Sequence, residues 1–125
     1  MNVMSAPTAS VRPPAEWFTA TVWQDPMGDG EGWKAARVLF EPGARTHWHS
    51  HEADQFLVVM AGHGRIANRA GDASEFRAGD VIQIPAGEEH WHGAAPDALT
   101  MHLAITQGET NWLEEVAEED YTRAM

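Results

Sequence analysis

Short apolar runs recur along the chain, and clusters of Gly, Pro, Asn and Asp separate them. Many short strands at such close turn spacing are typical of an all-β sandwich or barrel. QFLVVM is apolar throughout, which indicates a strand that is buried on both faces. The glycine-rich stretch DPMGDGEG (residues 25–32) is expected to be a loop. The main strands expected from this pattern are EWFTATVW (16–23), KAARVLF (34–40), the stretch 45–52, QFLVVM (55–60), VIQI (81–84) and LTMHLAI (99–105).

The two ends of the chain depart from the strand pattern. Residues 1–14 are small, polar and rich in proline, so we expect a flexible N-terminal arm ahead of one domain at 15–125. Asn111 is a plausible N-cap with Glu114 three residues later, as in a capping box. Trp112, Leu113 and Val116 add one apolar stripe. These signals predict a short C-terminal helix at about 111–122 that packs on the barrel.

Composition and charge narrow the possible partners. A length of 125 residues fits a single domain, and the absence of cysteine excludes disulfides, zinc–thiolate sites and iron–sulfur clusters. A formal net charge of −11 disfavours nucleic acid and anionic membrane surfaces as partners. No apolar run reaches membrane-spanning length, and the first 14 residues lack the charged and apolar regions of a signal peptide. We therefore expect a cytoplasmic protein that acts on a small-molecule substrate.

The candidate chemistry lies in HWHSH (residues 47–51), which holds three of the chain's seven histidines. Alternate side chains of a strand share one face, so His47, His49 and His51 are expected to project into the same space. Three imidazoles make a poor apolar core but a good metal site. By the same parity, Gln55 falls on that face and Trp48 and Trp91 turn away from it. His90 and His92 repeat the alternation later in the chain.

Two motifs in this order resemble those of the cupin superfamily. The first, G-x5-H-x-H-x3,4-E-x6-G, corresponds to GARTHWHSHEADQFLVVMAG (43–62), with Gln55 where the pattern has glutamate. The second, G-x5-P-x-G-x2-H-x3-N, corresponds to GDVIQIPAGEEHWHGA (79–94), with alanine in place of the final asparagine. The resemblance covers residues 33–106. It implies a single-domain cupin, a double-stranded β-helix or jelly-roll barrel, with metal ligands at His49, His51, Gln55 and His90.

The neutral Gln55 leaves the charge of a divalent ion uncompensated, so the ion would be a stronger Lewis acid. Nitrogen and oxygen ligands suit Mn, Fe, Ni, Co or Zn. PPAEWFTATV, FEPGARTHWHSH, HWHGAAP and HLAI further resemble a group of small bacterial cupins that includes manganese-dependent hydroxynitrile lyases. This resemblance implies one manganese ion, cleavage or formation of cyanohydrins, and a histidine base. His102 and His92 match pocket histidines of those lyases, and His47 is a third candidate.

Two other functions remain compatible with the sequence. One is an iron- or manganese-dependent cupin dioxygenase, although neutral ligands such as Gln55 disfavour the higher oxidation states that oxygen activation needs. The other is a cupin that binds a metal or a small molecule without turnover, which a site closed by His47 would favour. Analogy with the family, together with aromatic residues near the amino terminus, suggests a homodimer.

Overall fold

The structure is a computed structural model that describes residues 1–124. Within this range the chain forms a curled sheet of strands with one short helix near the C-terminus, so the predicted all-β class is confirmed. A 3₁₀ turn at Ala15–Trp17 precedes the first strand. The other elements are β1 (Phe18–Thr19), β2 (Val22–Gly30), β3 (Trp33–Phe40), β4 (Arg45–Thr46), β5 (His49–His51), β6 (Gln55–Asn68), β7 (Ala73–Arg77), β8 (Val81–Ile84), β9 (His90–Ala94), β10 (Thr100–Gln107), β11 (Thr110–Trp112) and α1 (Glu118–Arg123).

Strand β6 joins the two halves of the curled sheet. Its first half pairs antiparallel with β8 and β10, and its second half pairs with β7 and β9. We call β2, β3, β10, β8 and the first half of β6 sheet A, and the remaining strands sheet B. The two halves meet at Gly62, which has a φ of 69° and lies so close to β10 that a Cβ would meet the Leu99 carbonyl oxygen. A strand that was expected to end at residue 60 therefore runs on to Asn68.

The apolar residues form two clusters, one inside the barrel and one outside it. The inner cluster consists of Val22, Val38, Phe40, Ala44 and Ala94. The outer cluster holds Trp48, Trp91, Val116, Tyr121 and Ala124, so the C-terminal segment covers the outer face of sheet B. Both tryptophans face away from the neighbouring histidines, as the alternation predicts, and they pack against the C-terminal segment.

The predicted start of the C-terminal helix is wrong. Residues 110–112 form β11, which pairs antiparallel with β5, and α1 begins only after Ala117. The edge of β5 satisfies the backbone of this segment, and tertiary pairing of this kind overrides a local capping signal. The predicted glycine-rich loop at 25–32 is also wrong in part, because β2 continues through Gly30 with an irregularity between Pro26 and Gly28.

The N-terminal segment is tied to the sheet at one place. Val11 and Gln24 exchange two backbone hydrogen bonds of 2.8 and 2.7 Å, and the Ser10 hydroxyl donates to Asp25. The segment therefore crosses the edge of β2 before it reaches Pro13 and Pro14, whereas its flexibility stays a prediction. In the described part of the chain, no helix has the length and apolar character of a membrane-spanning segment. The cytoplasmic location also stays a prediction.

Candidate metal centre and its cavity

Three histidines from two strands converge inside the barrel. His49 and His51 lie on β5, and His90 lies on β9 as the register partner of His49. One ring nitrogen of each lies within 4.8 Å of those of the other two. All three side chains are buried, with 2%, 5% and 1% of their surface exposed. The structure thus brings together the three histidines that the sequence motifs singled out.

Each of these rings is oriented through its Nδ1 atom. His49 Nδ1 lies 2.9 Å from the carbonyl oxygen of His47, and His90 Nδ1 lies 2.9 Å from that of Glu88. A carbonyl oxygen only accepts, so both rings carry their proton on Nδ1 and keep a lone pair on Nε2. His51 Nδ1 lies 3.0 Å from the Thr110 hydroxyl, which β11 supplies. The Nε2 atoms of His51 and His90 are buried without a partner.

Gln55 completes the set from the start of β6. Its amide nitrogen donates to the Thr106 hydroxyl at 3.0 Å, and this bond leaves the buried Oε1 without a partner. Buried acceptors without donors are costly, and native proteins rarely contain several at one place. The lone pairs of three imidazoles and one amide oxygen are the donor set that a divalent transition metal takes. The residues present therefore fit such an ion.

The electrostatics of the three histidines favour the neutral ligand form. Burial lowers the pKa of His51 to about 4, and electrostatic interactions with His90 and Lys34 add to this effect. Burial also lowers the pKa of His90, and it holds the pKa of His49 well below its ordinary value. The rings are therefore unprotonated near neutral pH, and a metal competes with few protons for them.

His47 does not join the other histidines. Residues 47–48 separate β4 from β5, so the alternation that was expected across residues 45–52 is interrupted there. The His47 backbone N–H donates to the Trp17 carbonyl at 2.9 Å, and its own carbonyl orients His49. Its side chain is not among those that line the cavity. The His47 backbone therefore orients His49, and a role of its side chain as a base stays a prediction.

Two further histidines line the cavity beside the candidate ligands. His92 on β9 and His102 on β10 are buried, and their ring centroids lie 4.9 Å apart. The His92 ring lies 5.4 Å from that of His49. Neither ring nitrogen of His102 has a hydrogen-bond partner, and His92 Nδ1 has none. Burial lowers the pKa of His102 to about 4 and keeps that of His92 well below its ordinary value, so both rings are neutral near pH 7.

The cavity in front of these histidines is small and largely apolar. It encloses about 260 Å³, close to the lower end of the range for small-ligand sites. The rings of Trp17 and Trp112 stack at 5.1 Å near its rim, and Trp112 also lies 4.6 Å from the His49 ring. A compact ligand with one aromatic ring or a branched chain suits this space. Its apolar lining includes Trp17, Phe18, Ala36, Val38, Phe40, Ala104 and Trp112.

Sequence reasoning missed one charged residue of the lining, Lys34. It lies on the cavity side of β3, in alternation with Ala36, Val38 and Phe40. Its side chain makes no hydrogen bond or ion pair with any residue of the described chain. Two signals could have identified it, namely the period of two along KAARVLF and the fact that it is the only lysine in the sequence.

Comparisons with known proteins agree with this architecture. Residues 36–106 match the model of a family described as Cupin domain. An (R)-mandelonitrile lyase of Granulicella tundricola is 44% identical over 122 residues, which cover 92% of this chain and 93% of that protein. A cupin-like protein of Thermotoga maritima has a crystal structure with a TM-score of 0.88 and 36% identity, over 100% of this chain and 98% of that chain. An acetylacetone dioxygenase of Acinetobacter johnsonii shares the fold alone, with a TM-score of 0.75 and 13% identity over 100% of this chain and 93% of that chain.

Proposed function

The chain belongs to the cupin family, and on that premise we propose that it is a metal-dependent hydroxynitrile lyase that cleaves or forms cyanohydrins. One observation carries the proposal: unpaired lone pairs of histidine and glutamine converge beside two neutral, buried histidines in an apolar cavity. The 44% identity to a protein named (R)-mandelonitrile lyase supports the same reaction class. A cyanohydrin of an aromatic aldehyde fits the size and the lining of the cavity.

We propose manganese as the resident ion, with His49, His51, His90 and Gln55 as its protein ligands. When bound, a divalent ion supplies Lewis acidity that stabilises developing negative charge. Hydrogen bonds to His47, Glu88, Thr110 and Thr106 hold the donor atoms in place before an ion arrives. Such preorganisation raises metal affinity, because little side-chain freedom is left to lose on binding.

The base in this proposal is His102, assisted by His92. Cleavage breaks the bond between carbon and the nitrile group, whose electron pair leaves with cyanide, while the hydroxyl oxygen loses its proton and becomes the carbonyl oxygen. A ring nitrogen of His102 takes that proton, because the ring is neutral and its nitrogens are unpaired. The proton then returns to cyanide, so hydrogen cyanide and an aldehyde leave. The apolar walls exclude water from this exchange.

The test is release of benzaldehyde from racemic mandelonitrile at mildly acid pH, followed by ultraviolet absorbance. Manganese-loaded protein should exceed the spontaneous rate, and protein stripped with a chelator should not. His102→Ala should lose most of the activity, whereas His63→Ala should retain it, because His63 is exposed on the far part of β6. No release from protein that is shown to hold manganese would refute the lyase proposal.

Oxygen chemistry is the competing function, since an acetylacetone dioxygenase shares this fold. The neutral oxygen donor of Gln55 argues against it, because it does little to stabilise a more highly charged ion. Oxygen uptake by iron-loaded protein in the presence of a diketone or a catechol distinguishes the two. A cupin that only binds its ligand would give neither aldehyde release nor oxygen uptake.

A further inference from the structure

The only lysine of a strongly acidic chain lines the cavity. The sequence contains 19 acidic residues, seven arginines and Lys34 as its single lysine. Several arginines are neutralised locally, since Arg37 pairs with Asp25 at 2.8 Å and Arg45 with Glu118 at 2.9 Å. Lys34 differs, because it makes no ion pair within the described residues. Its ammonium charge is therefore available to a ligand.

The sheet register places Lys34 in line with the candidate metal centre. Lys34 on β3 is the partner of Thr106 on β10, and the Thr106 hydroxyl accepts the hydrogen bond from Gln55 on β6. The three inward-facing residues form a polar row across sheet A, next to the apolar row that contains Ala36 and Ala104. Two strand spacings, or roughly 10 Å, separate the backbone of Lys34 from that of Gln55. Along this row a ligand with one ring could reach the metal centre at one end and the ammonium group at the other.

The acidic residue that the sheet register places opposite Lys34 does not neutralise its charge. Asp29 is the register partner of Lys34 on the other side, on β2, but the two side chains form no ion pair. A cation that stays unpaired next to a carboxylate, at the rim of an apolar cavity, offers a favourable contact to an anionic ligand. An ammonium group at the rim can bind a carboxylate with modest strength, because both groups remain partly hydrated.

We propose that Lys34 binds a carboxylate on the substrate, so that the preferred substrates are small aromatic compounds with an anionic group opposite the reacting carbon. The proposal rests on the proposed function for the reacting end and on Lys34 alone for the anionic end. It deepens the proposed function by assigning a substrate class that the apolar lining alone does not suggest.

Isothermal titration calorimetry of manganese-loaded protein tests this assignment without turnover. Benzoate and benzamide are the matched probes, since they share shape but differ in charge. Wild type should bind benzoate about fivefold more tightly than benzamide, and added salt should reduce this preference. Lys34→Met should abolish the preference, and Lys34→Arg should retain it. Arg77→Met is the matched control, because it removes the same charge from an exposed position on β7.

Two results would overturn the proposal. Equal binding of both probes by wild type would mean that no cation in the cavity binds the anion. An undiminished preference in Lys34→Met would mean that the metal centre itself binds the carboxylate. A second assay compares kcat/KM for 4-carboxymandelonitrile and mandelonitrile, and the ratio should fall about fivefold in Lys34→Met. Lys34-dependent benzoate binding without any lyase activity would refute the proposed function and leave the carboxylate site intact.

Discussion

Replacing His102 should change how the stability of the metal-free protein depends on pH. Its side chain is fully buried, and burial lowers its pKa to about 4 from an ordinary value of 6.5. Between these two values the unfolded chain binds a proton at this position and the folded chain does not. The contribution of His102 to the free energy of unfolding is therefore fully present above pH 6.5 and is lost as the pH falls toward 4.

The size of the effect follows from the shift. The difference between the pKa of His102 in the unfolded chain and in the folded chain corresponds to a loss of roughly 3 kcal/mol in the free energy of unfolding by pH 4. About 2 kcal/mol of this loss occurs between pH 7 and pH 5. Other buried histidines add to the total loss, so the informative quantity is the difference between variants. His102→Leu should lose about 2 kcal/mol less than wild type over this interval. With a typical urea dependence for a small domain, this is a shift of about 1 M in the midpoint.

Urea titrations at pH 7, 6 and 5, with a chelator present throughout, measure this difference. His63→Leu is the control for loss of a histidine outside the cavity, because His63 is exposed. If wild type and His102→Leu lost the same free energy between pH 7 and pH 5, the His102 ring would not be the desolvated, neutral group described above. Its assignment as the base would then lose its physical support.

Three further outcomes are expected. His49→Ala and His90→Ala should each lose most of the bound manganese, because the Nε2 atoms of these residues are the proposed donors. Elemental analysis measures the loss, and full retention of manganese by both variants would refute the ligand set. Gln55→Glu should keep the metal but lower kcat by at least about tenfold, since the added negative charge weakens the Lewis acid; an unchanged kcat would contradict this reasoning. We also propose a homodimer in which the outward face of sheet A meets a second copy, because Phe56 and Met60 are 37% and 47% exposed on that face. The double variant Phe56→Lys with Met60→Lys should sediment as a monomer. A double variant with the same mass as wild type would place any interface elsewhere.

Local sequence signals determined the strand class and the candidate metal ligands. The alternation of His49 and His51 follows from the geometry of a single strand, so it needs no knowledge of the partner strand. The resemblance of the two motifs to those of the cupin superfamily then implied Gln55 and His90 as further ligands, and the structure brings His49, His51 and His90 together. The same period of two along β3 was available for Lys34, but only the structure shows that this face lines the cavity.

Contacts between distant segments decided which predicted elements form and which side chains reach the cavity. Residues 110–112 carry helix signals, yet they form a strand because β5 offers unpaired backbone groups at its edge. His47 fits the alternation in the sequence, but its side chain does not line the cavity. The strand pattern breaks between β4 and β5 at this residue, and its backbone N–H bonds to Trp17. The polar row from Gln55 to Lys34 depends on the register of three strands that lie far apart in the chain. A local pattern fixes which face a side chain takes, whereas long-range backbone hydrogen bonds fix what that face meets.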